Sequence, residues 1–203
     1  YGIITEESGI INKSNTKNRY VIDPIDGTNN FLNGIPHFAI SIGYEENNEI
    51  KCGVIFDPIK NEMFCAEKGQ GAFLNNSRIR VSKKKKLENA LLVTGGPKHD
   101  SKIKKQIFSE FINISDVSFS SVRKFGSAAL DIAYVACGRF DGYWQREINY
   151  WDIAAGVIIL KEAGGYVDFF DKDEVAPLKR NILASNSNIH EELSKLVIKK
   201  NIE

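Results

Sequence analysis

The residues best suited to chemistry lie in one short segment, Asp23-Pro24-Ile25-Asp26-Gly27-Thr28. Its two carboxylates stand three residues apart, after an apolar strand-like run and before a Gly-Thr turn. Like charges this close raise each other's pKa unless a cation neutralises them. Carboxylate oxygens are ligands for hard divalent ions, and Mg²⁺ is the usual ion in phosphate chemistry. A helix that begins at the turn would also offer the Gly27 and Thr28 N–H groups to a phosphate. The segment predicts a metal and phosphate site, with a plain Asx-type turn as the alternative.

Two further acidic clusters stand at the ends of predicted elements. Thr5-Glu6-Glu7-Ser8 follows the opening strand, and Trp151-Asp152-Ile153-Ala154-Ala155-Gly156 opens an apolar helix. An aspartate at a helix start is ordinarily a cap. Side chains at the ends of different elements can nevertheless converge on one cleft, and the glycines after two of these clusters permit close backbone approach. We therefore expect the three clusters to share a metal-binding cleft.

The elements that must position these residues are strands followed by alternating helices and strands. Apolar runs between turn residues predict an antiparallel meander, and 3.6-residue periodicity predicts helices in the second half. The predicted strands cover 1–5, 20–23, 38–44, 50–57, 62–66, 69–74, 78–82, 90–95, 140–144, 166–170 and 182–184. The predicted helices cover 101–112, 127–137, 152–163 and 189–199. The pattern indicates a mixed α/β protein.

Composition excludes several classes of protein. The chain has 203 residues, of which 42% are hydrophobic, and its 27 basic and 26 acidic side chains leave a net charge of +1. The apolar fraction excludes bulk disorder, and the neutral charge argues against direct nucleic-acid binding. No apolar run reaches the roughly 20 residues of a membrane span, and no signal peptide is expected at the N-terminus. Three scattered cysteines fit a reducing compartment, so we expect a cytoplasmic protein.

Taken together, the motifs resemble those of the inositol monophosphatase family, and bacterial members of the extragenic-suppressor (SuhB-like) type are the most similar. The resemblance rests on the three acidic clusters in their order and spacing. Further matching segments are Pro36-His37-Phe38-Ala39-Ile40-Ser41, Gly126-Ser127-Ala128-Ala129 with the preceding Arg123, and Glu162-Ala163-Gly164-Gly165.

This resemblance implies a layered αβαβα sandwich of the α/β (α+β) class. It divides one phosphatase domain into a metal-binding sheet region at 1–88 and a C-terminal α/β region at 89–203. The family also has two helices and a mobile loop before the Glu6 motif. The loop supplies a carboxylate behind the catalytic threonine and assists a third metal site. These N-terminal helices are missing from the chain, which begins at Tyr1.

The resemblance also implies a role for each matching residue. Two or three Mg²⁺ ions would be held by Glu6, Asp23, Asp26, Asp152 and the carbonyl of Ile25. Glu6, Asp26 and Thr28 would be catalytic. The substrate would contact Ile25, Asp26, Gly27, Thr28, Arg123, Gly126, Ser127, Ala128, Gln145 and Asp152. The family commonly has a glutamate where this chain has Gln145, and a neutral amide accepts hydrogen bonds less strongly than a carboxylate.

The implied activity is Mg²⁺-dependent hydrolysis of inositol monophosphate by metal-activated water. Lithium inhibition and a homodimer are further expectations of the resemblance. One alternative keeps the chemistry and changes the small-molecule phosphate monoester to fructose bisphosphate, NADP or adenosine bisphosphate. The other is a non-catalytic binding protein associated with RNA polymerase and ribosomal RNA synthesis.

Overall fold

The computed structural model of the chain describes residues 1–11, 17–97, 100–117, 122–170 and 178–197. Its strands form two sheets. The first sheet contains β1 (Gly2–Thr5), β2 (Gly9–Ile11), β3 (Asn18–Asp26), β4 (Ala39–Glu46), β5 (Glu49–Asp57), β6 (Glu62–Glu67), β7 (Gly71–Leu74) and β8 (Ser77–Arg78). The strand order is β2-β1-β3-β4-β5-β6-β7-β8, and β1 and β3 are the parallel pair among otherwise antiparallel neighbours. The predicted meander is confirmed from β3 to β7, but of the strand predicted at 78–82 only Arg78 lies in a strand, the short β8.

The second sheet is mixed. It contains β9 (Leu92–Thr94), β10 (Val122–Arg123), β11 (Gly142–Asn149), β12 (Tyr166–Phe169) and β13 (Lys179–Ser185). The strand order is β10-β9-β11-β13-β12. Strands β10, β9 and β11 run parallel to one another, whereas β13 is antiparallel to both of its neighbours, β11 and β12. The predicted strand at 140–144 lies further along the chain because Asp141 makes loop contacts, its N–H bonding to Leu91 O at 2.8 Å.

Five α-helices and one 3₁₀ turn complete the described part of the chain. They are α1 (Thr28–Leu32), α2 (Lys104–Val117), α3 (Ala128–Ala136), α4 (Tyr150–Glu162), α5 (His190–Val197) and the 3₁₀ turn Leu87–Asn89. Two predicted helices are displaced, since the one predicted at 101–112 covers Lys104–Val117 and the one predicted at 152–163 starts earlier. The helix predicted to start at Asp152 begins two residues earlier, because Asn149 is its N-cap and Asp152 completes a capping box. The last two residues of the helix predicted at 189–199 lie outside the described residues.

Helices α3 and α4 pack between the two sheets and form the main core. Every residue of α3 is buried, and the cluster around it joins Ile55 and Phe64 of the first sheet to Tyr143 and Ile182 of the second. A mixed α/β architecture of stacked layers is thereby confirmed. None of the described helices combines the length and apolar character that crossing a bilayer requires.

Small residues on the first sheet allow α4 to approach closely. Gly43 and Gly53 are paired across β4 and β5 beneath this helix. A Cβ at Gly53 would lie 2.8 Å from Ala155 Cα, whereas a Cβ at Gly43 would lie 3.4 Å from Ala154 Cβ. Several larger apolar side chains of the same strands lie on the opposite face, although Ile55 of β5 is buried on the inner one. The outward-facing ones are Ile40, Ile42 and Val54, and each of them is about 40% exposed.

Candidate active site

Three aspartates from two elements form a compact buried cluster. Asp23 and Asp26 lie on β3, Asp152 lies in the first turn of α4, and their ligand oxygens are within 4.8 Å of one another. A regular strand would point residues 23 and 26 to opposite faces. Here Asp23 pairs with Ser41 and Asp26 with Ala39, so β3 contains one residue more than β4 between these pairs. This bulge brings both carboxylates to the face that meets α4.

The electrostatics of the cluster favour a cation. Burial raises the pKa of Asp23, and the charges of Asp26 and Glu6 raise it further. Burial likewise raises the pKa of Asp152, with the charges of Asp26 and Asp23 adding to the effect. Burial is also the largest cause of the raised pKa of Asp26. Burial and crowding make the ionised carboxylates costly, and a hard divalent ion bound to their oxygens removes this cost, so the residues present fit Mg²⁺.

Asp26 is anchored to the start of α3. Its Oδ2 accepts hydrogen bonds from Ser127 Oγ at 2.6 Å and from the Ala129 N–H at 2.7 Å. Ser127 Oγ also caps the helix by accepting from the Leu130 N–H at 3.4 Å. The hydroxyl of Ser127 therefore contacts a carboxylate of the cluster, a contact that the sequence did not predict.

A cavity of about 540 Å³ opens beside the cluster. Most of the predicted site residues line this cavity: Glu6, Asp23, Ile25, Asp26, Gly27, Thr28, Gly126, Ser127, Ala128, Gln145 and Asp152. Arg123 is not among the lining residues and lies exposed on β10. Its neighbour Lys124 lines the cavity instead.

The Gly-Thr turn takes the predicted form. Gly27 has φ +95°, in the left-handed region that favours glycine, and precedes the short helix α1. A Cβ there would also lie only 3.0 Å from His37 O. The Thr28 hydroxyl donates to Ile25 O at 3.0 Å, and the Ile25 N–H donates to Asp23 Oδ1 at 3.0 Å. The turn thus links the predicted phosphate-binding amides to the aspartate cluster.

Sequence reasoning missed several residues that line the cavity. They are Asn29, Gly95, Gly96, Pro97, Lys124, Asp131, Ile148 and Asn149. Asp131 lies inside α3, and burial raises its pKa to about 6, against the opposing effect of His37. The nearest signal was the Gly95-Gly96 pair directly after a predicted strand, which is typical of a site that needs close backbone approach.

A buried carboxylate cluster that fits a divalent ion, facing a cavity lined by residues of both sheets, suits a metal-dependent hydrolase. Comparison with known proteins identifies the class of hydrolase as phosphatase. The model of the inositol monophosphatase family matches residues 1–201, and the chain belongs to this family.

Individual relatives agree with the family assignment. The inositol-1-monophosphatase of Caulobacter vibrioides is 40% identical over 95% of this chain and 76% of its own length. The Nus factor SuhB of Xylella fastidiosa is 40% identical over 98% of this chain and 73% of its own. The crystal structure of the extragenic suppressor protein SuhB from Bartonella henselae superimposes with a TM-score of 0.90 and 41% identity, covering 99% of this chain and 78% of that one.

Proposed function

We propose that this phosphatase hydrolyses inositol monophosphate to inositol and inorganic phosphate in a Mg²⁺-dependent reaction. The buried cluster of Asp23, Asp26 and Asp152 beside the cavity carries the proposal. Support comes also from the similarity to inositol-1-monophosphatases at 40% identity. When bound, two or three Mg²⁺ ions supply acidification of the attacking water and neutralisation of charge on the phosphoryl oxygens.

The proposal gives each residue of the site the role that the family resemblance implies. Glu6, the three aspartates and the Ile25 carbonyl hold the metal. The N–H groups of Gly27 and Thr28 orient the phosphate, since backbone donors at a turn suit its oxygens. The Thr28 hydroxyl and Glu6 orient the attacking water. The leaving alcohol lies toward Gln145, on the wall of the cavity that the second sheet forms.

The remaining expectations belong to the same proposal. Residues 1–88 and 89–203 act as one phosphatase domain, which is supported by the core that α3 and α4 share with both sheets. The protein works in the cytoplasm as a homodimer. Lithium inhibits it by competing for a Mg²⁺ position.

Phosphate release from inositol 1-phosphate during a Mg²⁺ titration tests the proposal. Asp26→Asn should lower kcat by at least about 100-fold, because it removes a negative metal ligand while keeping the shape of the side chain. Asp116→Asn on the exposed end of α2 is the matched control and should retain full activity. The absence of release from inositol, sugar and nucleotide phosphates at saturating Mg²⁺ would contradict the enzymatic function.

A second candidate function is association with RNA polymerase. The observation that favours it is the similarity to a protein named as a Nus factor. Purified polymerase retained equally by the native protein and by Asp26→Asn would support binding that is independent of catalysis. No retention of either protein would remove this candidate.

A further inference from the structure

The short helix α1, which follows the Gly-Thr turn, has little packing of its own to hold it in place. All five residues of α1 lie within the described part of the chain, and none of them is buried. Leu32 is mostly exposed, and the Phe31 ring, which meets Phe38 edge-on at 5.1 Å, is still half exposed. A helix this short is not stable in water by itself. Contacts to other parts of the chain must therefore fix α1 and the turn that precedes it.

The side chain of Asn30 makes two such contacts. Its Nδ2 donates to the backbone carbonyl of His37 at 2.7 Å and to the backbone carbonyl of Phe125 at 2.7 Å. His37 lies just before β4, whereas Phe125 is 95 residues further along the chain than Asn30 and belongs to the loop before α3. One amide group therefore ties α1 to the first sheet and to the helical layer.

The partners of Asn30 fix the orientation of its amide. A backbone carbonyl oxygen can only accept hydrogen bonds, so the NH₂ end of the amide must face His37 and Phe125. An amide turned the other way would place its own oxygen against two carbonyl oxygens. A leucine of similar size has no donor, and an ionised aspartate has only acceptors. Asparagine thus matches this position both in shape and in the number of its donors.

Two glycines allow the backbone segments to meet around this amide. Gly27 and Gly126 have φ values of +95° and +89°, in the left-handed region that favours glycine. A Cβ at Gly27 would lie 3.0 Å from His37 O and 3.3 Å from Gly126 O. A Cβ at Gly126 would lie 3.2 Å from Asn30 Nδ2. The turn and the loop before α3 are therefore in close contact, and Asn30 lies where they meet.

The Gly-Thr turn is attached at both of its ends to the start of α3. Before the turn, Asp26 Oδ2 accepts from Ser127 Oγ at 2.6 Å. After the turn, Asn30 donates to Phe125, two residues before Ser127. The two proposed phosphate donors of the turn lie between these attachments along the chain. Donors that are already held in place need not be ordered when the ligand binds.

We propose that Asn30 is a positioning residue for the phosphate group: it holds the Gly-Thr turn against the loop before α3, so that the N–H groups of Gly27 and Thr28 stay oriented toward the phosphate. Asn30 is not among the residues that line the cavity, so it acts through the backbone of the turn. This inference rests on the proposed phosphatase function and adds a residue to its phosphate site. Loss of the amide should weaken every ligand that binds through a phosphate, whatever alcohol is attached to it.

Inorganic phosphate at saturating Mg²⁺ is the probe, because it carries no alcohol and is not turned over. Asn30→Leu keeps the approximate size of the side chain and removes both donors. Calorimetric titration of this variant should give a Kd for phosphate that is raised by about tenfold or more, since displaced donors no longer match the phosphate oxygens. The KM for inositol 1-phosphate should rise by a similar factor. A variant that only folded less completely would lower kcat and leave both constants unchanged.

Asn33→Leu is the matched control. The exposed amide of Asn33 also donates to a backbone carbonyl at 2.7 Å, but its partner is Asn29, within the same short helix. This variant should keep the Kd for phosphate and the KM within about twofold of the native values. A weakening of phosphate binding equal to that of Asn30→Leu would show that any loss in α1 has this effect, and it would overturn the inference.

Asn30→Ala removes the same donors without an apolar side chain and repeats the test independently. Both Asn30 variants should stay folded and keep the native Kd for Mg²⁺, because α1 buries none of its residues. A Kd for phosphate within about twofold of the native value in both variants would overturn the inference. Loss of the folded state in both would assign Asn30 to stability and overturn it as well.

Phosphate binding also keeps this inference distinct from the proposed activity. Mg²⁺-dependent binding of phosphate that weakens in Asn30→Leu, without phosphate release from any ester, would support the positioning role and contradict the activity. Phosphate release by the native protein and by Asn30→Leu with the same KM would support the activity and refute the positioning role.

Discussion

At the residue scale, Asp26 is a member of the metal cluster and is also hydrogen-bonded to the start of α3. Ser127 and Ala129 both donate to one of its carboxylate oxygens. Hydrogen bonds to an ionised group are stronger than those between neutral groups. They also oppose the rise in the pKa of Asp26 that burial causes. Ser127 is therefore a positioning residue that helps to keep Asp26 ionised for metal.

Ser127→Ala tests this double role. The variant removes a hydrogen bond to a buried carboxylate and the N-cap of α3, so the free energy of unfolding should fall by about 2–3 kcal/mol. The apparent Mg²⁺ affinity should also fall, because the pKa of Asp26 rises when this donor is lost. Chemical denaturation and calorimetric Mg²⁺ titration measure the two effects.

The matched control is Ser194→Ala, whose exposed hydroxyl donates to Glu191 O on α5. It should change the free energy of unfolding by no more than about 0.5 kcal/mol and leave Mg²⁺ affinity unaltered. If Ser127→Ala loses stability but keeps native Mg²⁺ affinity, then Ser127 is only a helix cap and has no influence on the metal site.

At the element scale, the fit between α4 and the first sheet sets the distance between Asp152 and β3. That fit depends on residues with little or no side chain, above all Gly53, over which Ala155 lies. An added methyl group there would meet the α4 backbone at Ala155 as well as the Ile158 side chain, so a change of the Ile158 rotamer alone cannot make room for it. Displacing α4 would carry Asp152 away from Asp23 and Asp26.

Gly53→Ala should therefore lower the free energy of unfolding by about 1–3 kcal/mol and reduce kcat. Gly43→Ala is the natural comparison, since Gly43 pairs with Gly53 and its added Cβ meets only ordinary contacts. It should be neutral within about 1 kcal/mol and fully active. Thermal denaturation and phosphate-release assays of both variants test this prediction. Equal losses of stability would show that the contact of Gly53 with α4 does not set the distance between the helix and the first sheet.

Periodicity predicted most strands and helices at their correct type, but it could not predict which face of β4 and β5 lies inside. Apolar alternation ordinarily marks the buried face. Here Ser41, Gly43 and Gly53 face α4 beside the buried Ile55, whereas Ile40, Ile42 and Val54 point away, because the close approach of the helix leaves room for few large residues on the inner face. The bulge at Pro24-Ile25 was likewise invisible, since it depends on the register between β3 and β4.

The predicted site residues illustrate the same limit. Carboxylates at element ends were found because their residue types and order are distinctive. Lys124 was missed in favour of Arg123, because the direction of each side chain at the end of β10 depends on how that short strand pairs with β9. The partnership of Gln145 with Tyr143 and Gly95 joins two strands and has no signature along the chain.

At the scale of the whole molecule, metal binding and folding are linked through the aspartate cluster. Burial and the neighbouring acids raise the pKa of Asp23 from 3.8 to about 7. A carboxyl group that binds its proton more tightly when folded favours the folded state at low pH, and this contribution is lost as pH rises toward 7. Without metal, Asp23 should thus weaken the fold progressively between pH 4 and pH 7.

Mg²⁺ should reverse this trend. Mg²⁺ at 100 times its Kd stabilises the folded state by about 2.7 kcal/mol. Because the ion competes with protons for the carboxylates, the Mg²⁺-induced rise in Tm should be large at pH 8 and small at pH 5. Scanning calorimetry with Mg²⁺ or with EDTA measures it, and Asp26→Asn should show a reduced response. An equal rise at both pH values would contradict a site whose carboxylates are protonated in the metal-free protein.

The two walls of the cavity come from different parts of the fold, and this has an evolutionary consequence. The aspartates depend on the bulge in β3 and on the packing of α4, whereas Lys124 follows β10 and Gln145 lies on β11 of the other sheet. A lineage could therefore exchange one phosphorylated metabolite for another through a few substitutions in the second sheet while inheriting the hydrolytic machinery intact. After diversification of this kind, the aspartate cluster would identify the type of reaction but not the substrate of a particular member.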